Sequence, residues 1–398
     1  MNFELPSLPK DILFSLKELP PVWEFLLPAL PRSWLNQIEI TRLPASFSLT
    51  PSLAEIRRKW SGTRVALIKQ ALYGDLYCCV SRSPARDAVQ SSLRRTGPMG
   101  FLTDLGADYW QVLEDPAPEC RTWKESPGSN PATDLKELRN HQQKIPHKGR
   151  HGHIGSPAEM SVSVDEVPWN EYDVIISLDI AVPLRIIRQH PRIFWVYFPT
   201  DPGAPTAKRS RRVPPTGYNV SLTHTHRRFP IRPGLGSRAI ECPYSFQSSF
   251  SWSQIWPEPD SRSGIMIEHQ THALLTSDQL KTLVKFGPIR KPFGSVSEVA
   301  HSLRSSKYYL RLAGGPLSGN GQIEAIMAGC LAIGNPETYV QRSLFTPSTV
   351  APSFPHALAL LEKFEAMPDF YEITRAQQLQ VAEFICFRRP AHQLLSFL

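Results

Sequence analysis

Residues 306–334 read Ser306-Lys-Tyr-Tyr-Leu-Arg-Leu-Ala-Gly-Gly-Pro-Leu-Ser-Gly-Asn-Gly-Gln-Ile-Glu-Ala-Ile-Met-Ala-Gly-Cys-Leu-Ala-Ile-Gly334, and this stretch decides the fold class. Tyr308 to Leu312 is a compact apolar run that predicts a short buried strand. The segment from Gly314 to Gly321 carries Gly314, Gly315, Gly319 and Gly321, with Asn320 among them. A loop so poor in Cβ atoms lets backbone amides approach a ligand closely. A helix opens near Gln322, and Cys330 to Ile333 predicts a second apolar strand. The free N–H groups and positive end of such a helix seat phosphate readily. Glu324, one turn in, can accept hydrogen bonds from ribose hydroxyls at the same place. Together these features point to a nucleoside diphosphate. The plainer reading is a Glu favoured by the helix dipole after an ordinary glycine loop.

The segment resembles the donor-binding motif of GT-B glycosyltransferases, in which a glycine-containing loop leads into a helix with the pattern E-A-x-x-x-G-x-x-x-I. Glu324, Ala325, Ala328, Gly329 and Ile333 carry the match. The resemblance implies that Glu324 binds the ribose of a sugar nucleotide. It also implies an α/β chain of two Rossmann-like domains facing a cleft. Many retaining members carry a further acidic residue where this chain has Pro316. The match therefore speaks for nucleotide-sugar binding and leaves the stereochemistry open. It is concentrated in residues 297–334, is looser over 172–246, and does not involve 1–60 or 124–160.

Length supports more than one core: 398 residues exceed what a single ordinary domain organises. The hydrophobic share of 41% and charged share of 20% describe a globular chain. No apolar run reaches the roughly 20 residues of a membrane span. The N-terminus, with Glu4, Pro6 and Pro9, lacks the pattern of a secretory signal. The six cysteines form no Cys-x-x-Cys pair, so a reducing cytoplasm is expected. The net charge of +8 sits mostly in loops, notably 208–212 and 144–153. It admits anionic small molecules, peripheral contact with an anionic membrane, or plain solvation. No nucleic-acid-binding motif accompanies it.

Along the chain, residues 1–60 read as a Pro- and Leu-rich, partly helical extension. Residues 61–250 read as an acceptor domain interrupted by a polar insertion at 124–160, and 251–398 as the nucleotide-sugar domain. Strands are predicted at Arg64 to Ile68, Tyr109 to Leu113, Tyr172 to Leu178, Arg192 to Phe198 and Tyr218 to Thr223. A crossover helix is predicted at Ala181 to His190. Residues 240–260 read as the crossing into a domain that starts with the strand Gly264 to Glu268. Helices at Thr276 to Lys285 and Ser297 to Ser305, a strand near Pro288 to Lys291, and a largely helical tail from Pro355 to Phe387 complete it.

Ligands of open α/β sheets bind outside the carboxyl ends of strands. That rule selects Asp179 and Asp201 as candidate general bases for an acceptor hydroxyl; either could instead cap the next helix or turn. Thr200, His224 and His226 share the same edge, and the two histidines read as a metal pair or as a loop pair. On the donor side Arg311, with Arg290 and Lys291, could offset the charge of a departing pyrophosphate, or Arg311 could serve a structural ion pair. His269 and His272 lie beside them. The expected donor set is Arg311, Gly314, Gly315, Gly319, Asn320, Gly321, Gln322 and Glu324. The chain has no Asp-x-Asp, so neither metal nor separate cofactor is expected beyond the donor itself. The expected activity is transfer of a sugar from a nucleotide-diphosphate sugar to a glycan, lipid-linked or small-molecule acceptor. The alternative is a binding protein that keeps the fold without turnover.

Overall fold

The computed structural model describes residues 51–70, 100–101, 104–112, 161–162, 164–178, 181–198, 216–223, 239–242, 246–256, 258–292, 296–313, 321–338 and 344–398. The expected extension up to residue 50 and the insertion at 124–160 lie outside them.

Val65–Gln70 (β1), Asp108–Val112 (β2), Ser161–Val162 (β3), Val174–Leu178 (β4), Phe194–Phe198 (β5), Val220–Thr223 (β6) and Ala239–Glu241 (β7) form one sheet, in the order β3-β2-β1-β4-β5-β6-β7. Every pairing in it is parallel. A parallel sheet is covered on both faces, which is why Val174–Leu178 is apolar and buried throughout except for Ser177, which is buried but polar. One face packs Leu67, Ile176, Val196 and Leu222 against Ile56 and Trp60 of the helix Leu53–Trp60 (α1). Ser52 and Glu55 close a capping box at the start of that helix. The other face packs Ile175, Trp195 and Tyr197 against Trp169 and against Ile186 and Ile187 of Leu184–Gln189 (α2).

Three elements here go beyond the sequence expectation, the first being the two-residue strand Ser161–Val162. Ala239–Glu241 adds a strand, and Ser249–Ile255 (α3) is a helix where a Ser/Trp/Pro-rich crossing was expected. Its signal was present: Ser248 and Ser251 form a reciprocal capping box. Asp104 then accepts hydrogen bonds from both serine hydroxyls, and Glu383 accepts from Ser249.

The second sheet contains Ile265–Ile267 (β8), Ile289–Arg290 (β9), Tyr308–Arg311 (β10) and Leu331–Gly334 (β11), ordered β11-β10-β8-β9 and also parallel. Helices His269–Leu274 (α4), Ser277–Leu283 (α5), Val296–Ser305 (α6) and Gly321–Met327 (α7) intervene. Phe354–Ala366 (α8) and Pro368–Glu383 (α9) follow. Met266, Tyr309 and Ala332 face α6, α7 and α9, while Ile265, Tyr308 and Leu331 face α5 and α8.

The chain then crosses back. A π-helical turn, Phe384–Arg388, joins α9 to Arg389–Leu395 (α10). Pro390 offers no N–H to the turn before it, which accounts for the change of helical pitch. Ile385 and Cys386 lie in the core of the second sheet, whereas Phe387, Ala391 and Leu394 lie in the core of the first.

Candidate functional site

Strand order locates the site before any side chain does. In the second sheet the path runs outward in both directions from β8, to β9 on one side and to β10 and β11 on the other. The carboxyl ends of β8 and β10 thus flank a topological switch point, where open α/β sheets leave a crevice for ligands. The first sheet has its own switch between β1 and β4.

At the end of β8, the Glu268 carboxylate accepts from the amides of Gln270 and Thr271 and so starts α4. Thr271, fully buried, turns its hydroxyl to the other strand: Oγ1 accepts from Leu312 N at 2.8 Å and Ala313 N at 3.2 Å. One threonine therefore fixes where the loop leaves β10. Thr271 was not among the expected site residues, because its partners belong to a different strand. His272 stands half-buried on α4, and burial, reinforced by the charges of Lys291 and His269, depresses its basicity. These three residues all follow the carboxyl ends of β8 and β9.

Arg311 closes β10 and is 3% exposed, with Nη2 donating to Thr338 O at 3.0 Å. Arg290 does not join it: its guanidinium donates to Ser263 O at 2.6 Å and reaches Ser306 Oγ at 3.4 Å, on the amino side of the neighbouring strands. Gly314, Gly315, Gly319 and Asn320, with Pro316, lie outside the described residues, as do Asp179, Thr200, Asp201, His224 and His226.

The structure resumes at Gly321, the first residue of α7. A Cβ there would lie 3.1 Å from the Tyr309 hydroxyl, so the helix starts close against β10. From Gln322 to Met327 every residue is buried. Two of these are polar: Gln322 at 0% exposure and Glu324 at 1%. The end of α7 explains the glycine of the E-A-x-x-x-G pattern. Gly329 takes φ +101°, with its N–H donating to Ile326 O and that of Cys330 to Ala325 O, a Schellman ending. Arg262 and Arg304 then both donate to Ala328 O, and a Cβ on Gly329 would fall 2.5 Å from Arg262 Nη2. Cys330, wholly buried behind this ending, has its thiol pushed up to about 12 by desolvation. It is a structural thiol. Among the described residues no cluster of three or more His, Cys, Asp or Glu could hold a metal ion.

No protein-family model matches the sequence, and no curated protein matches it. Among solved structures, the chain is similar to the sucrose-phosphate synthase of Thermosynechococcus elongatus, at 12% identity over 84% of this chain and 98% of that one, with a TM-score of 0.37. It is similar to T4 phage BGT in complex with UDP and Mn2+, at 8% identity over 84% and 98%, TM-score 0.37. A Streptomyces sp. SF2575 glycosyltransferase, SsfS6, complexed with thymidine diphosphate, aligns at 11% identity over 84% and 100%, TM-score 0.33.

Proposed function

We propose that the chain is a GT-B-type glycosyltransferase that holds a nucleotide-diphosphate sugar outside the carboxyl ends of β8 and β10. The observation that carries this reading is the placement of Glu324. It is a buried carboxylate in the first turn of α7, the next helix in sequence after β10, whose carboxyl end lies at the switch point of the sheet. In this reading Glu324 accepts the ribose hydroxyls, and the backbone amides of Gly314, Gly315, Gly319, Asn320 and Gly321 bind the diphosphate. Arg311 and Lys291 offset the negative charge that grows on the departing pyrophosphate. The transferred sugar meets an acceptor hydroxyl held by the first sheet, where Asp179 or Asp201 takes its proton. Thr271 is a positioning residue, setting the exit of the loop from β10.

Thermal unfolding with UDP, GDP, ADP, CDP and dTDP tests the reading. One nucleotide should raise the melting temperature of the wild type by several degrees at saturation, since ligand at about 100 Kd adds roughly 2.7 kcal/mol. Glu324→Gln, which keeps the shape and removes the charge, should abolish that rise. A wild-type protein unmoved by all five nucleotides would overturn the proposal.

A further inference from the structure

Two buried glutamines in the second sheet's surroundings contrast in how their amides are used. Gln378 on α9 is fully buried and fully employed: Oε1 accepts from Ala332 N, and Nε2 donates to Ala332 O and Leu344 O. Gln322 on α7 is equally buried, yet neither Oε1 nor Nε2 has a hydrogen-bond partner among the described residues. Burying an amide with both ends unpaired is costly, and such a group in a folded protein calls for a cause. Packing does not supply one, because a methionine or leucine would fill the same space beside the apolar residues Ile323, Ala325, Ile326 and Met327.

The position of Gln322 suggests the cause. It precedes Glu324 by two residues on the helix that follows β10, at the switch-point edge of the sheet. An amide offers an acceptor and two donors side by side. Phosphate oxygens only accept, so they could take a hydrogen bond from Nε2 but would leave Oε1 unpaired, whereas sugar hydroxyls both donate and accept and can satisfy both ends. We infer that Gln322 reads hydroxyls of the bound nucleotide sugar and sets specificity for its neutral, hydroxyl-bearing part. The inference rests on the nucleotide-sugar reading of this crevice. The hydroxyls belong to the ribose or to the transferred sugar, and the test separates the two.

Calorimetric titration would compare the wild type, Gln322→Met and Glu324→Gln. The probes are UDP, GDP, ADP and CDP, the glucose conjugate of whichever binds best, and inorganic pyrophosphate. Gln322→Met should unfold at no lower temperature than the wild type and bind pyrophosphate unchanged. It should lose about tenfold or more in affinity, as expected when a ligand hydroxyl loses its partner. A loss already present for the nucleoside diphosphate assigns the ribose; a loss confined to the conjugate assigns the transferred sugar. Unchanged affinity for every probe would overturn the inference, as would a melting point several degrees lower, which would place the amide's partner within the protein. If Glu324→Gln weakens nucleotide binding while Gln322→Met does not, this inference alone fails. If the wild type binds none of the nucleotides or conjugates, the nucleotide-sugar reading fails first.

Discussion

Gly264 shows how a single residue can be fixed by geometry alone. It takes φ +75°, and a Cβ there would lie 2.1 Å from Pro288 O. Gly106 takes a similar φ of +66° with nothing within 4 Å of its missing Cβ. Gly106→Ala should therefore cost about 1–2 kcal/mol, the left-handed backbone penalty alone. Gly264→Ala should cost clearly more, since the loop before β9 must also move; urea unfolding of the two variants side by side measures the difference. At this scale the sequence was partly legible. The E-A-x-x-x-G spacing of Glu324 and Gly329 was visible, and the Schellman ending accounts for its glycine. Thr271 and Gln378 were not visible, because each acts on a backbone far along the chain: Thr271 on Leu312 and Ala313, Gln378 on Ala332 and Leu344. Long-range partners of a polar residue leave no local spacing to read.

Among elements, β11 depends on α9 through one side chain. Gln378→Leu would leave the Ala332 amide and two carbonyls without their partners, at a cost of about 2–4 kcal/mol. The same type of substitution at Gln322 is expected to cost nothing, so equilibrium denaturation should separate the two buried glutamines: a lowered midpoint for the Gln378 variant and an undiminished one for the Gln322 variant. Strands were the most legible elements: predominantly apolar runs such as Val174–Leu178 and Leu331–Gly334 mark parallel sheets buried on both faces. The short β7 and the helix α3 escaped. Only three residues form β7, too few for a periodic signal, and the serines of α3 stabilise it through a cap and two distant carboxylates.

For the whole molecule, acid should loosen the structure in a defined window. Hydrogen bonds from Arg64 hold Asp173 below the ordinary carboxylate range, and those from Arg185 do the same for Asp165. Burial opposes ionisation of Glu258, but Arg262 and Arg304 outweigh it. These groups have lowered folded values, so their contribution is complete above the unfolded carboxylate range and is lost as pH falls through the folded values, below about pH 4. All are substantially exposed, and each is worth well under 1 kcal/mol. The urea midpoint should be lower at pH 3.5 than at pH 6.5, and Asp173→Asn should narrow that gap. The alternation of apolar runs and helical segments implied two parallel sheets; the return of the tail to the first one was not legible, since an amphipathic helix does not say which sheet it covers. Leu394→Ala should cost about 2–4 kcal/mol although it lies far along the chain from the core it completes; heat unfolding measures it. That remote completion has a consequence during synthesis. The strands of the first sheet leave the ribosome on the order of ten seconds before Phe387, Ala391 and Leu394 are made. For that interval the face of the nascent sheet is covered in part by α1 and stays bare where α10 will lie, an apolar patch open to other chains.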